Sequence, residues 1–350
     1  MAKMKIGFVG TGYMGQNAHL KNYIALSDDC EVVAVSEPRT QTGQLVATRY
    51  GIKNVYKNHI EMLENEKLDG VVAAQNFRHH AELVPDILKY KVNLLTEKPL
   101  CLSVENGELL AKVAKENGVS HMVGYHKRSD PAIEYAVDLI EKWKASGEFG
   151  KMRYVRITMP PGDWINGADE TLSVDGEEVA PFVPEGIPAQ FAGEWSDEYW
   201  KFINYYIHQV NAMRFLLGED YDLKYVEKSQ AILAVESKSG VAGILEMATY
   251  STTDDWQEKM FVSFERGYIE VALPAPLAMQ QAGKVTVMEN KKGCQQITYS
   301  PTMPNVSAMR NQALNYIKML RGEKKAPCYS DEAVLDLKIA IKYIEMLMEK

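Results

Sequence analysis

The sequence predicts a two-domain α/β protein: an N-terminal doubly wound parallel sheet of the Rossmann type, then an α+β domain built on a large, mostly antiparallel sheet. Three observations lead there. Over roughly the first 125 residues short apolar, β-branched runs alternate with helical patterns, which is how parallel strands joined by crossover helices read. A glycine-rich turn follows the first of these runs directly. Beyond about residue 150 the pattern changes to strand after strand separated by turns, the mark of antiparallel pairing. The expected boundary divides residues 1–125 from residues 126–350.

The first strand is MKIGFVG at 4–10, followed by a helix from Tyr13 to about Leu26 and a second strand, EVVAVS, at 31–36. That is a βαβ unit. Helices near 41–50 and 57–65 lead to strand LDGVVAA at 68–74, and a helix near 79–90 leads to strand VNLLTEK at 92–98. A helix at 103–117 and strand SHMVGY at 120–125 close the first domain. In the second, a helix near 130–146 precedes the runs KMRYVRITM, LKYVEKSQAILAVES, GVAGILEMATY, KMFVSFER, GYIEVAL, KVTVMEN and QQITYS. A helix near 199–217 interrupts them, and two more near 306–321 and 331–348 end the chain. The loop at 160–198 is rich in Gly, Pro and acidic residues. Connections this long in compact domains are usually functional or disordered.

Composition narrows the class of function. With 350 residues, 46% hydrophobic and 25% charged, the chain has the makeup of an ordinary soluble protein of about two domains. Its apolar stretches, such as VVAA at 71–74, fall far short of the roughly 20 residues that span a bilayer. The start runs straight into a strand, leaving no room for a secretory signal, so a cytoplasmic location is expected. Cys30, Cys101, Cys294 and Cys328 form no C-x-x-C pair and read as reduced structural thiols. A net charge of −8 without a basic run argues against nucleic acid or an anionic membrane as partner. A small molecule is expected instead. No histidine pair has metal-ligand spacing with a third ligand in view, so no metal is expected; His19, His59 and His121 are given no role.

Gly10-Thr11-Gly12-Tyr13-Met14-Gly15 matches G-x-G-x-x-G after the first strand and at the mouth of the first helix. Gly10 permits the tight turn, Gly12 lets the backbone approach a pyrophosphate, and Gly15 lets helix and strand pack closely. The phosphates would lie at the helix N-terminus. Glu37 ends the second strand, 22 residues after Gly15, where an acid hydrogen-bonds the adenosine ribose hydroxyls. That favours NAD; a carboxylate there repels the 2′-phosphate of NADP, although Arg39 offers a cation two residues on. The fourth expected strand ends in Thr96-Glu97-Lys98-Pro99, and strand C-termini at a switch point face the ligand crevice. Lys98 therefore points at chemistry, able to relay a proton or lower the pKa of a neighbour.

These residues resemble the Gfo/Idh/MocA family of sugar and inositol oxidoreductases, and the likeness covers essentially the whole chain. The E-K-P motif is its most specific mark. It implies that Glu97 and Lys98 sit beside the nicotinamide, that Lys98 assists proton transfer, and that Pro99 follows a cis bond. Gly124 to Pro131 looks like the family's G-[YF]-x-x-R-x-x-P segment, implying that Tyr125, His126 and Arg128 lie near the substrate. The family's D-x-G-x-H-x-x-D helix corresponds to Asn204 through Asn211, in which His208 remains while both acids are asparagines and the glycine is Tyr206. Helical spacing puts Asn204, His208 and Asn211 on one face. An asparagine holds a hydroxyl but takes no proton, so the base role falls on His208 with Lys98 alongside. Where the family shows P-N-x-x-H, this chain has Asn76-Phe77-Arg78-His79-His80. Asn76 and His80 inherit the cofactor contact by position, and His80 reads equally as a helix-start histidine.

Asp163-Trp164 and the aromatics Trp195, Tyr199 and Trp200 flank the long loop; they suit a sugar ring or ordinary loop packing. The expected activity is oxidation of a secondary hydroxyl of a sugar, polyol or glycoside, with C3 of a glucosyl group as the finer reading. Rivals are a recycled, tightly bound NAD serving sugar-to-sugar exchange, elimination or hydrolysis; reduction of an imine or biliverdin-like acceptor; and a non-catalytic dinucleotide sensor. Retention of Lys98 with His208 favours the alcohol. The open face of the second sheet suggests a homodimer or homotetramer.

Overall fold

The computed structural model describes residues 2–159, 162–165, 168–179, 183–247 and 256–349. Its first sheet has six strands: β1 (Met4–Val9), β2 (Cys30–Ser36), β3 (Asn54–Tyr56), β4 (Gly70–Ala73), β5 (Asn93–Thr96) and β6 (His121–Val123). Their order is β3-β2-β1-β4-β5-β6 with every pairing parallel. The order reverses between β1 and β4, which makes the carboxyl ends of those strands the switch point of a doubly wound sheet. Helices α1 (Lys21–Ile24), α2 (Thr40–Tyr50), α3 (His59–Asn65), α4 (His80–Lys89) and α5 (Val104–Asn117) run between the strands. Side-chain caps set two of their starts: Asn58 accepts from Glu61 N at 2.8 Å and Ser103 Oγ from Asn106 N at 3.2 Å, each satisfying a helix N–H that has no partner inside the helix.

Two local features differ from the expectation. The helix after the glycine turn opens as a π-helical turn, Gly15–Leu20, before the short α1. The edge strand β3 has only three residues, too few for an alternation pattern to register.

The second sheet has eight strands: β7 (Met152–Thr158), β8 (Tyr221–Val226), β9 (Ile232–Ser237), β10 (Ala242–Glu246), β11 (Glu258–Phe264), β12 (Gly267–Leu273), β13 (Lys284–Glu289) and β14 (Ile297–Tyr299). Its order is β14-β13-β12-β11-β7-β10-β9-β8, antiparallel except for the β7–β10 pair. The fold class expected from the sequence is thus the one observed. The run LKYVEKSQAILAVES is two strands, β8 and β9, joined by a turn in which Gln230 takes φ 62°. The end of the run GVAGILEMATY, residues 248–250, lies outside the described residues. Helix α6 (Pro131–Ser146) packs on β12 and β13, and α8 (Ile207–Leu217) on β7 and β10. The expected single helix over 199–217 is α7 (Ser196–Lys201), a π-helical turn Phe202–Tyr206 and α8, in succession. Helices α9 (Ala308–Leu320) and α10 (Ser330–Met348) close the chain.

The chain divides into two compact units, Met1–Tyr125 with Ala168–Asn204 and Gln312–Lys338, and His126–Gly167 with Tyr205–Asn311 and Ile339–Lys350. The sequence places one boundary, after residue 125; the chain returns to the first unit for two later segments. In that unit Ile6, Phe8, Val35, Val72 and Leu95 from the sheet and Tyr316 and Ile317 from α9 are 0% exposed and form one cluster. Each contributes about 1.5–3 kcal/mol relative to exposure. The buried Tyr316 hydroxyl donates to the carbonyls of Val71 and Asn93, so its burial leaves no polar atom unmet. Among the described residues no helix is long and apolar enough to cross a membrane.

Candidate active site

The glycine turn carries the geometry its motif requires. Gly10 sits at φ +85°, and a Cβ at Gly15 would lie 2.6 Å from the Gly10 carbonyl oxygen, so helix and strand close on each other only through glycine. Over Gly12, by contrast, an added Cβ would meet nothing within 4 Å. That open backbone is the room a pyrophosphate needs. Glu37, 2% exposed at the end of β2, accepts from Thr11 N and Thr11 Oγ1 at 2.9 Å and from Arg39 Nε at 2.8 Å. Burial pushes its carboxyl up, but the bonds from Arg39 and Thr11 prevail and hold it below the ordinary value. Glu37 is therefore an anionic acceptor beside the turn. These residues fit an NAD-type dinucleotide. Tyr13 and Met14 are half-buried beside Gly12.

At the end of β5 the Lys98–Pro99 bond is cis. Lys98 Nζ donates to the carbonyl oxygen of Asn204 at 2.5 Å, and Lys98 N to Glu97 Oε2 at 3.1 Å. The other Glu97 oxygen lies 2.5 Å from His19 Nε2, with both side chains buried. His19, given no role from the sequence because the first helix reads as a surface helix, is instead turned inward on the π-helical turn. His80 is fully buried and its Nδ1 donates to Leu100 O at 3.0 Å. Burial pushes its imidazole down to about 4, so it is a neutral brace behind the Glu97–Lys98–Pro99 turn, with no exposed surface for a cofactor. Asn76 caps the turn that follows β4, accepting from Arg78 N at 3.0 Å.

Residues 168–179 and 183–204 belong to this same unit. Glu185 accepts from Leu102 N, Ser103 N, Ser103 Oγ and Asn106 Nδ2 at 2.6–3.0 Å, bracing the turn that leads into α5. Tyr199 is 0% exposed and donates to Leu102 O at 2.5 Å, while Trp200 packs on Phe77 with ring centroids 5.0 Å apart. These two aromatics, read from sequence as a sugar platform or as packing, pack.

In the second unit His208 is half-buried, its ring edge-on to His126 with centroids 4.7 Å apart. Arg128, expected at the substrate, is 3% exposed; its Nε donates to Asn211 Oδ1 at 2.5 Å and its guanidinium lies over Phe215. It supports α8 from inside, because a buried guanidinium must be met by acceptors. Tyr125 and His126 are also nearly buried, at 2% and 4%. No sequence pattern marks the pair Lys127–Glu258, 2.5 Å apart and buried, whose carboxylate also accepts from Gln209 Nε2 at 2.9 Å. Asp163 accepts from Ile165 N at 3.0 Å, and Trp164 is 36% exposed. Among the described residues no group of three His, Cys, Asp or Glu side chains could hold a metal ion.

A doubly wound sheet with an open glycine turn, an acid ending the second strand and a lysine ending the strand past the switch point defines a dinucleotide-binding oxidoreductase domain. Residues 4–125 match the Gfo/Idh/MocA model, described as an oxidoreductase family with an NAD-binding Rossmann fold. Residues 4–125 are thus similar to that family's NAD-binding domain, in line with the sequence resemblance. The chain is 25% identical over 250 residues to myo-inositol 2-dehydrogenase of Thermotoga maritima, a match spanning 70% of this chain and 63% of that enzyme. It is likewise 25% identical over 263 residues to scyllo-inositol 2-dehydrogenase (NAD(+)) of Bacillus subtilis, spanning 71% of this chain and 68% of the relative. In fold it is similar to the aldose-aldose oxidoreductase of Caulobacter crescentus, with TM-score 0.73, 16% identity and coverage of 99% and 98% of the two chains.

Proposed function

We propose that this chain oxidises a secondary hydroxyl of a sugar, polyol or glycoside to a ketone, using NAD, with Lys98 and His208 as its acid–base pair. The observation that carries the reading is Lys98 at the carboxyl end of β5, its ammonium 2.5 Å from the carbonyl oxygen of Asn204, four residues before His208. The named activities of the inositol-dehydrogenating relatives support it. Alcohol oxidation releases a hydride from carbon and a proton from oxygen, and the dinucleotide, when bound, takes the hydride. The protein's task is the proton. His208 takes it, since Asn204, standing where the family has an acid, has none to exchange. Lys98 holds a positive charge near the developing oxyanion and stabilises it by hydrogen bonding until the hydride leaves. Asn204, exposed beyond its engaged carbonyl, orients the hydroxyl, and Trp164 and Asp163 offer a ring face and an acceptor to the sugar. C3 of a glucosyl group is the finer reading we carry from the family resemblance.

A second reading keeps the dinucleotide bound and recycles it. The hydrogen bonds that fix residues 171–177 to the Rossmann unit favour it, because such a strap slows exchange. Both readings are tested by incubating the protein with NAD and a panel of inositols, aldoses and glycosides while following nicotinamide absorbance and product mass. A ketone with matching NADH supports the dehydrogenase; altered sugar without net NADH supports recycling. Lys98→Met and His208→Asn should each lower turnover about 10²–10⁴-fold. Full turnover in both variants refutes the assigned pair.

A further inference from the structure

We propose that Glu177 determines cofactor specificity: its carboxylate fills the place at the start of α2 that the 2′-phosphate of NADP needs, and so restricts the chain to NAD. The inference rests on the dinucleotide reading given above and adds a residue to it. Helix α2 begins at Thr40, three residues after Glu37, and no side chain of its own N-cap residue Arg39 caps it. The cap comes from 135 residues further along the chain. Glu177 Oε1 accepts from Gln41 N at 2.7 Å, and Oε2 accepts from Thr42 N at 2.9 Å and Thr42 Oγ1 at 2.6 Å. A carboxylate on these groups occupies the position in which a helix N-terminus favours a phosphate.

A phosphate on the adenosine 2′ oxygen projects from the ribose read by the acid at the end of the second strand, toward the residues just beyond it. Two features there could meet it, and both are taken. The α2 amides hold Glu177. The Arg39 guanidinium is forked onto Glu37, Nε to Oε1 at 2.8 Å and Nη2 to Oε2 at 3.0 Å. NADP would face two carboxylates and a cation already paired, whereas the ribose hydroxyls of NAD need only an acceptor.

Glu177 is held in register by its neighbours. The Gln16 amide brackets the backbone of Leu172, Nε2 to O at 2.9 Å and N to Oε1 at 3.0 Å. Asn17 Nδ2 donates to Thr171 Oγ1 and Val174 N to Thr42 Oγ1, each at 3.0 Å.

The test is to measure dissociation constants of NADH and NADPH for the full chain without sugar, by energy transfer from tryptophan to the reduced nicotinamide. The wild type should prefer NADH. Glu177→Gln keeps an acceptor on the amides and removes the charge; it should tighten NADPH about tenfold or more while NADH changes less than about twofold. Glu177→Arg, which adds a cation, should tighten NADPH further. An unchanged NADPH-to-NADH ratio in both variants overturns the proposal, as does an equal shift for both dinucleotides, which would mean that Glu177 acts only by fixing the strap. Wild-type protein that binds both equally sinks this inference alone; protein that binds neither sinks the dinucleotide reading with it.

Discussion

His19 Nε2 and Glu97 Oε1 lie 2.5 Å apart, in side chains 2% and 8% exposed, and the other Glu97 oxygen accepts from the backbone of Lys98. Burial raises the Glu97 carboxyl, but the hydrogen bond and charge of His19, with Lys98, overcome it and hold it below the ordinary 4.5. A depressed carboxyl contributes stability that is fully present above its unfolded value and fades as pH falls through the lower folded one. His19→Ala strands the carboxylate, so the unfolding free energy near neutral pH should drop by about 3–5 kcal/mol. Without His19 the burial that raises the carboxyl is opposed by Lys98 alone, so the carboxyl rises and the deficit against wild type should narrow on acidification. Urea titrations across the acid range check this; a deficit that stays constant with pH would mean that the pair is not ionic.

Gly12 and Gly15 separate binding from folding. A Cβ at Gly12 meets nothing within 4 Å, while one at Gly15 would stand 2.6 Å from a backbone oxygen. Gly12→Ala should leave the melting temperature within a few degrees of wild type, equivalent to about 0.5 kcal/mol, and weaken NADH at least about tenfold by blocking the backbone's approach to phosphate. Gly15→Ala should lower the stability itself by about 1–3 kcal/mol, since the clash is with main chain. Calorimetry together with NADH titration tells them apart, and a Gly12→Ala protein that binds normally would show that the phosphates lie elsewhere.

The dinucleotide turn and the Glu97–Lys98–Pro99 motif were legible because each is a run of neighbours whose geometry is fixed locally, by strand ends and glycine sterics. What the sequence hid is long-range. Glu177 caps α2 from 135 residues away and Glu185 braces the turn before α5 from 82, and Lys127 pairs with Glu258 across 131 residues. No periodicity reports such partners. His19 was hidden differently: a π-helical turn shifts the side-chain phase from the 3.6-residue period by which a helical face is read. Arg128 and Asn211 were assigned by motif, which gives identity but not burial.

Two buried histidines should make the first unit sensitive to mild acid. Burial pushes His80 down to about 4 and His121 to about 3 from an ordinary 6.5. His80 gives its Nδ1 proton to Leu100 O, and His121 Nε2 lies 2.9 Å from Thr96 Oγ1. Below pH 6.5 the unfolded chain binds protons that the folded chain refuses, so stability is present above that value and falls on acidification until the folded values are reached. Each histidine adds a slope of up to about 1.4 kcal/mol per pH unit. His121→Gln, which can still bond Thr96, should remove one share. Unfolding free energies between about pH 7 and pH 5 measure the slope; equal slopes in variant and wild type would mean that His121 is charged in the fold or is not buried.

The buried Arg128–Asn211 pair lies at one of the departures from the family helix. Arg128 Nε donates to Asn211 Oδ1 at 2.5 Å and Nη2 to Asn211 O at 3.3 Å, both residues being nearly inaccessible. A side-chain oxygen at residue 211 is what the guanidinium requires, and asparagine and aspartate both supply it. Asn211→Asp restores the family's acid, turns the contact into a charge-assisted bond and should leave stability unchanged or raised by about 1 kcal/mol. Asn211→Leu fills similar volume but leaves the guanidinium short of an acceptor, and should cost about 3 kcal/mol. Because the chemistry is assigned to His208 and Lys98, turnover by the aspartate variant should stay within about threefold of wild type, well inside the 10²-fold that loss of an acid–base group produces. Denaturation and steady-state rates on both variants test the pair. A large gain in turnover with Asn211→Asp would show that residue 211 reaches the reacting hydroxyl and that Arg128 is not its partner during catalysis.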